Sequence, residues 1–175
     1  MFKLIAVIAL LAGAALFGRA AMMPGDYRIE HAIDIAAPPK AIMPYLDNFR
    51  AWPSWAPRER QDLGMAMTYS GAASGVGAIY AWSTAGDGGS GQMTIVNATP
   101  TRLRIEIDAR SPIARAGSLE FKLEAADDLT HVTASFSGHN SLWLRLRYPV
   151  SVPDETISAR FDEALTNLKL VVEAN

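Results

Sequence analysis

The chain contains no cysteine, which excludes disulfides, thiol catalysis and cysteine-ligated zinc. Its three histidines, His31, His131 and His139, show no His-x-x-x-His or comparable spacing, so no motif calls for a metal. No Gly-x-Ser-x-Gly elbow activates a serine. The glycine-rich run from Gly71 to Gly77 opens a strand, and so lacks the helix N-terminus that a phosphate cradle needs. No cofactor fingerprint is present. A basic excess is missing too: 16 Lys and Arg stand against 18 Asp and Glu. The net charge of −2 becomes −4 once Lys3 and Arg19 are set aside with the first 23 residues. A mildly acidic domain lacks the clustered basic face of a nucleic-acid binder. Asp87, Asp127 and Asp128 fall in turn signals, and Asp34, Glu106, Asp108, Glu120 and Glu124 on the polar faces of strands. No two acids are forced together, so no acid–base pair is read.

What is present is the composition of one folded domain. Half of the 175 residues are hydrophobic and 19% are charged, enough chain for a single sizeable core. Part of the apolar excess lies at the N-terminus, where Met1-Phe2-Lys3 leads into an apolar run from Leu4 to Phe17 and a break at Pro24-Gly25. A positive start, an apolar run and small residues beyond it describe a secretory signal. Leu4 to Met23 also reaches the length of a membrane span if Arg19 snorkels to the interface. Residues 1–23 are therefore read as a signal peptide or a membrane anchor, and 24–175 as the domain, placed in either case on the extracytoplasmic side.

Within the domain, Tyr27, Ile29, His31, Ile33 and Ile35 alternate with polar residues, the period of a half-buried strand. Pro39 suits the first turn of a helix that carries Ala41, Ile42, Tyr45, Leu46 and Phe49 and is interrupted by Pro44. Trp52-Pro53-Ser54-Trp55-Ala56-Pro57 reads as a second short helix or tight corner. Strands follow at 65–70, 78–83, 92–97, 102–108, around 119–123 and around 132–136, separated by turn signals such as Gly86-Asp87-Gly88-Gly89 and Asp127-Asp128. Successive short strands joined by tight turns predict an antiparallel meander. From Asp154 onward, Ile157, Phe161, Ala164, Leu165, Leu168, Val171 and Val172 recur at helical spacing, with Arg160, Asp162, Glu163, Lys169 and Glu173 on the opposite face. That stripe must pack on the inner face of the meander. The order predicts an α+β helix-grip fold: a curved antiparallel sheet wrapped around one long C-terminal helix, with two short helices after the first strand.

Three stretches carry a resemblance. Ile33-Asp34-Ile35-Ala36-Ala37-Pro38-Pro39, the aromatic corner from Phe49 to Pro57, and the run from Tyr69 to Gly77 followed by Tyr80-Ala81-Trp82 are similar to the START-like superfamily, also called SRPBCC or polyketide cyclase/dehydrase-like. Gly138-His139-Asn140 and the spacing of Phe161, Leu165 and Leu168 fit the same pattern, which spans roughly Tyr27 to Glu173. The stretch Leu142 to Val150, with Trp143, Arg145, Arg147 and Tyr148, departs from it. The resemblance implies the helix-grip fold with an internal pocket. It implies no catalytic motif, because the superfamily includes carriers, receptors and cyclases.

Trp52, Trp55, Tyr69, Tyr80 and Trp82 cluster within a short span, and rings with polar tips are how a pocket holds a mostly apolar ligand. Met43, Met65, Met67 and Met93 add adaptable side chains. His31 and Phe161 are inward-facing candidates from the first strand and the last helix. Two functions remain open: a membrane-tethered or exported domain that binds a small hydrophobic or lipid-like molecule, and a cyclase/dehydrase-like enzyme in which His31 or a buried tyrosine moves a proton.

Overall fold

The computed structural model describes residues 25–57, 65–84, 89–110, 115–139 and 154–174, with isolated positions at 14, 17–19, 21 and 22. Most of residues 1–23, residues 85–88 of the turn expected at Gly86-Asp87-Gly88-Gly89, and the stretch from Leu142 to Val150 lie outside the described residues. Among those described, no helix is long and apolar enough to cross a membrane.

The alternating segments form strands: β1 (Asp26–Ile35), β2 (Met65–Gly71), β3 (Ala78–Thr84), β4 (Ser90–Thr99), β5 (Arg102–Ala109), β6 (Arg115–Ala126) and β7 (Leu129–His139). They make one sheet in the order β1-β7-β6-β5-β4-β3-β2, every pair antiparallel. β2 to β7 are the predicted meander. β1 extends it at one edge by pairing with β7, from Asp26 opposite His139 to Ile35 opposite Thr130. At the β6–β7 turn Asp127 takes a positive φ of 51°, a backbone region that aspartate enters more readily than most side chains.

Between β1 and β2 lies helix α1 (Pro39–Leu46), then a single 3-10 turn over Trp52–Ser54. Pro39 sits in the first helical turn, and Ile42, Met43 and Leu46 are the buried side. The C-terminal helix α2 (Asp154–Glu173) lies along β1, on the concave face of the sheet. Leu165, Leu168 and Val172 of α2 are buried with Ile35, Ile42, Leu46, Ile95, Leu103, Ile105, Leu123 and Val132 in one core. Side chains at the start of α2, Ile157 among them, lie outside the described residues.

The helix's polar side stays on the surface, as periodicity predicts, yet three of its side chains bond to β1 and the residue that follows it. Lys169 Nζ donates to the Asp34 carbonyl at 2.7 Å. Glu173 Oε1 accepts the Ala36 backbone N–H at 2.7 Å. Asp162 Oδ1 accepts from His31 Nδ1 at 2.6 Å. These three ties fasten α2 to β1 along its length, with the space above the remaining strands left uncovered by them.

At three places in the sheet a glycine faces an aromatic ring on the neighbouring strand. A Cβ on Gly117 would lie 2.7 Å from the Phe136 ring, and one on Gly138 would meet the Tyr27 phenol. A Cβ on Gly91 would collide with the Trp82 indole. Glycine lets each ring lie flat against the backbone, the device by which curved sheets keep their packing. A hollow of about 780 Å³ lies on the outer face of the sheet, lined by residues such as Gln92, Arg104, Glu106 and Ser137.

Candidate functional site

The aromatic corner after α1 is built by the helix end. The last carbonyls of any helix lack intrahelical partners. Here the Leu46 carbonyl accepts Trp52 Nε1–H at 2.9 Å, and the Tyr45 carbonyl accepts Trp55 Nε1–H at 3.0 Å. Both indole donors are thus committed to the fold, and the two rings are left as apolar faces. Their centroids stand 5.1 Å apart.

From this pair the rings continue without a gap. Phe49 meets Trp52 at 5.1 Å and Tyr80 at 6.0 Å. Tyr80 in turn meets Tyr69 at 5.5 Å and Trp82 at 5.9 Å, while Trp55 stands edge-on to Phe121 at 6.4 Å. Such contacts are worth roughly 0.5–1.5 kcal/mol each beyond area burial. Arg50 covers the Tyr69 ring, its guanidinium carbon 4.8 Å from the centroid.

These rings border a cavity of about 430 Å³ between α2 and the concave face of the sheet. All strands from β2 to β7 contribute side chains to it, and none of its described lining comes from β1. Its volume falls within the range of small-molecule sites. Of the eight residues singled out from the sequence, the structure brings seven to this cavity: Trp52, Trp55, Tyr69, Tyr80, Trp82, Met93 and Phe161. Met65 and Met67 line it as well.

His31 is the exception. Its inward direction was legible, but an inward residue on β1 lies beneath α2 and not in the hollow. Its ring stacks on Phe161 at 5.9 Å, and its Nδ1 is tied to Asp162. It braces one wall residue from behind. Met43 likewise packs in the core and does not line the cavity. His131 and His139 form ring-to-carboxylate bonds with Asp34 and Asp26, each at 2.7 Å, on the surface. Among the described residues no cluster of three metal-ligating side chains occurs.

The sequence reading missed Arg160. Grouped there with the solvent face of the last helix, it stands exposed at the cavity rim, one turn ahead of Ala164. Leu119, Ala134, Phe136 and Leu165 form the floor and far wall. Among the described lining residues the titratable or charged groups are two phenols, Tyr69 and Tyr80, and the Arg160 guanidinium. Asp47, whose carboxyl partial burial pushes above the ordinary carboxylate range against an opposing hydrogen bond from its own backbone N–H, sits at the end of α1 outside that lining.

Residues 26–173 match the family model described as polyketide cyclase / dehydrase and lipid transport. The chain belongs to that family. Membership places it in the START/SRPBCC-like superfamily and makes a ligand-binding domain of the fold just described. The family's fold recurs in solved structures of low identity. Protein CV1439 from Chromobacterium violaceum is 16% identical with a TM-score of 0.60, over 86% of this chain and 99% of its own. Protein MLL2253 from Mesorhizobium loti is 14% identical with a TM-score of 0.61, over 85% and 98%. The Aha1 dimer from Colwellia psychrerythraea is 19% identical with a TM-score of 0.55, over 84% and 96%. At these identities the likeness shows a shared fold. No curated protein matches the chain.

Proposed function

We propose that this domain binds a small, largely apolar molecule, lipid-like compounds included, in the cavity between α2 and the sheet. The observation that carries this reading is the cavity itself: about 430 Å³, walled by a continuous chain of rings whose indole donors at Trp52 and Trp55 are already satisfied. A wall of committed donors offers π-faces and thioethers, which favour apolar surface over water. The first 23 residues hold the domain at the cell membrane on its extracytoplasmic side, or export it after cleavage; the positive start and apolar run of the sequence support this.

Native mass spectrometry of the purified full-length protein, with organic extraction, tests the binding reading. A co-purifying small molecule, or saturable binding of the neutral probe N-phenyl-1-naphthylamine, is the expected result. A protein that carries nothing and leaves the probe dark overturns it. Cell fractionation tests the tether: the full chain sediments with membranes or is found outside the cytoplasm, and a chain starting at Pro24 does neither.

The cyclase/dehydrase-like alternative requires a proton-moving side chain in contact with the ligand. Tyr69 and Tyr80 are the phenols so placed. His31 is held off by Phe161 and Asp162, and His31→Ala leaves probe affinity within about twofold, far less than the loss of a hydrogen bond to a charged ligand group.

A further inference from the structure

We infer that a hollow of about 170 Å³ beside Tyr69 is a second binding site, which takes one oxyanion group, a phosphate or carboxylate, against the Arg50 guanidinium. It is distinct from the apolar cavity: among the described residues the two share only Phe49 and Tyr69 as wall.

Two turns shape this hollow. After α1 the Arg50 backbone N–H donates to Asn48 Oδ1 at 2.9 Å, which fixes the chain where the arginine leaves it. Between β2 and β3 the chain reverses through Gly71, Gly75 and Gly77, at φ of 72°, 68° and 87°, values that glycine adopts without strain. The Ala72 and Ala78 N–H groups close that loop on the Gly77 and Gly75 carbonyls. The Gly75 N–H donates to the Asp47 carbonyl at 2.9 Å and so ties the loop to the end of α1. Walls held by backbone bonds are in place before a ligand arrives, which lowers the cost of binding.

The chemistry of the hollow is one-sided. Arg50 is the single charged residue in its described lining, and no carboxylate among the described residues pairs with it. Asp47, three positions earlier, lies outside the lining. The Arg50 guanidinium carbon stands 4.8 Å from the Tyr69 centroid, and a guanidinium carried on a ring face keeps its N–H edge for acceptors. The Tyr69 and Ser70 hydroxyls and the Ala73 backbone N–H, all on lining residues, make no hydrogen bond to another described residue. A cation, unspent donors and no acid favour negative charge. The charge here is a side chain's, so the helix N-terminus missing from the glycine run is not needed. The volume lies below that of sites for whole drug-sized molecules, and suits a single group. That group is either a free anion or the head of an amphiphile whose body occupies the cavity next door.

Two arms separate these sources in the full-length protein. A free anion is read by melting: inorganic phosphate raises the melting temperature, and sodium chloride of equal ionic strength does not. A headgroup is read by competition: dodecyl phosphate displaces N-phenyl-1-naphthylamine about tenfold more tightly than dodecanol, the scale of one hydrogen bond to a charged group. In either arm the effect is expected to vanish in Arg50→Gln and to persist in part in Arg50→Lys. Arg50 is exposed, so neither variant removes core packing, and the quantity read is the ligand-dependent difference within each protein. An unaltered protein that shows neither effect, or effects undiminished in Arg50→Gln, overturns the inference and leaves the cavity reading standing. A neutral probe that fails to bind the unaltered protein overturns the cavity reading, and the phosphate melts still decide this one.

Discussion

Trp55 shows how much one side chain does here. It is 4% exposed, its N–H caps the Tyr45 carbonyl, and its ring borders both Phe121 and the cavity. Trp55→Phe keeps an aromatic ring but strands that carbonyl, so it is expected to cost about 1–3 kcal/mol, seen as a lower urea midpoint with the slope unchanged. Asp47 makes the opposite case. Burial raises its folded-state pKa above the unfolded value, so the protonated form is the one folding favours. The stability linked to this group is complete below the ordinary carboxylate range and is lost as pH rises through the raised value. Asp47→Asn is therefore expected to gain stability relative to the wild type as pH increases from about 3 to about 7, with no gain at the acidic end. Thermal melts across that range check the sign; a gain that shrinks with rising pH contradicts it.

Among the elements, α2 and β1 show what periodicity can and cannot tell. The alternation from Tyr27 to Ile35 was legible because one face meets water and the other meets apolar side chains. The stripe of Leu165, Leu168 and Val172 was legible for the same reason. Periodicity gives a face but not its neighbour, which is why Asp162, Lys169 and Glu173, on the surface as read, also bond to β1 and to Ala36 just beyond it, and why Arg160 passed unnoticed at the rim. It also cannot separate packed core from cavity wall, so Met43 and Met93 looked alike and lie apart. The Trp-Pro-x-Trp corner announced its aromatic cluster, whereas the glycine–ring contacts between strands depend on long-range register and left no local trace. They carry a prediction of their own. In Gly117→Ala the new methyl meets the Phe136 ring at 2.7 Å and the Ser137 carbonyl at 2.9 Å. Overpacking of this kind costs roughly 1–3 kcal/mol. Because Phe136 lines the cavity, the same change is expected to weaken binding of N-phenyl-1-naphthylamine. A stable variant with full probe affinity refutes the account.

At the level of the whole molecule, roof and floor are one cooperative unit. Leu168 is fully buried between α2 and the sheet, so Leu168→Ala is expected to lose about 2–5 kcal/mol in a single denaturation step. Ligand acts on the same equilibrium from the other side. A compound that binds only the folded protein adds about 2.7 kcal/mol at a hundred times its dissociation constant. Melting Leu168→Ala with and without N-phenyl-1-naphthylamine should therefore recover a large share of the lost stability. If the probe leaves the melt unmoved, helix and cavity are not coupled in this way.

The sequence holds four tryptophans, and Trp52, Trp55 and Trp82 all stand in the cavity wall. Occupancy is thereby wired to the protein's own ultraviolet emission. A guest that absorbs in the near ultraviolet will drain light from these indoles at contact range, and a dark one will shift their colour by displacing water. The chamber reports its own filling, with no label attached.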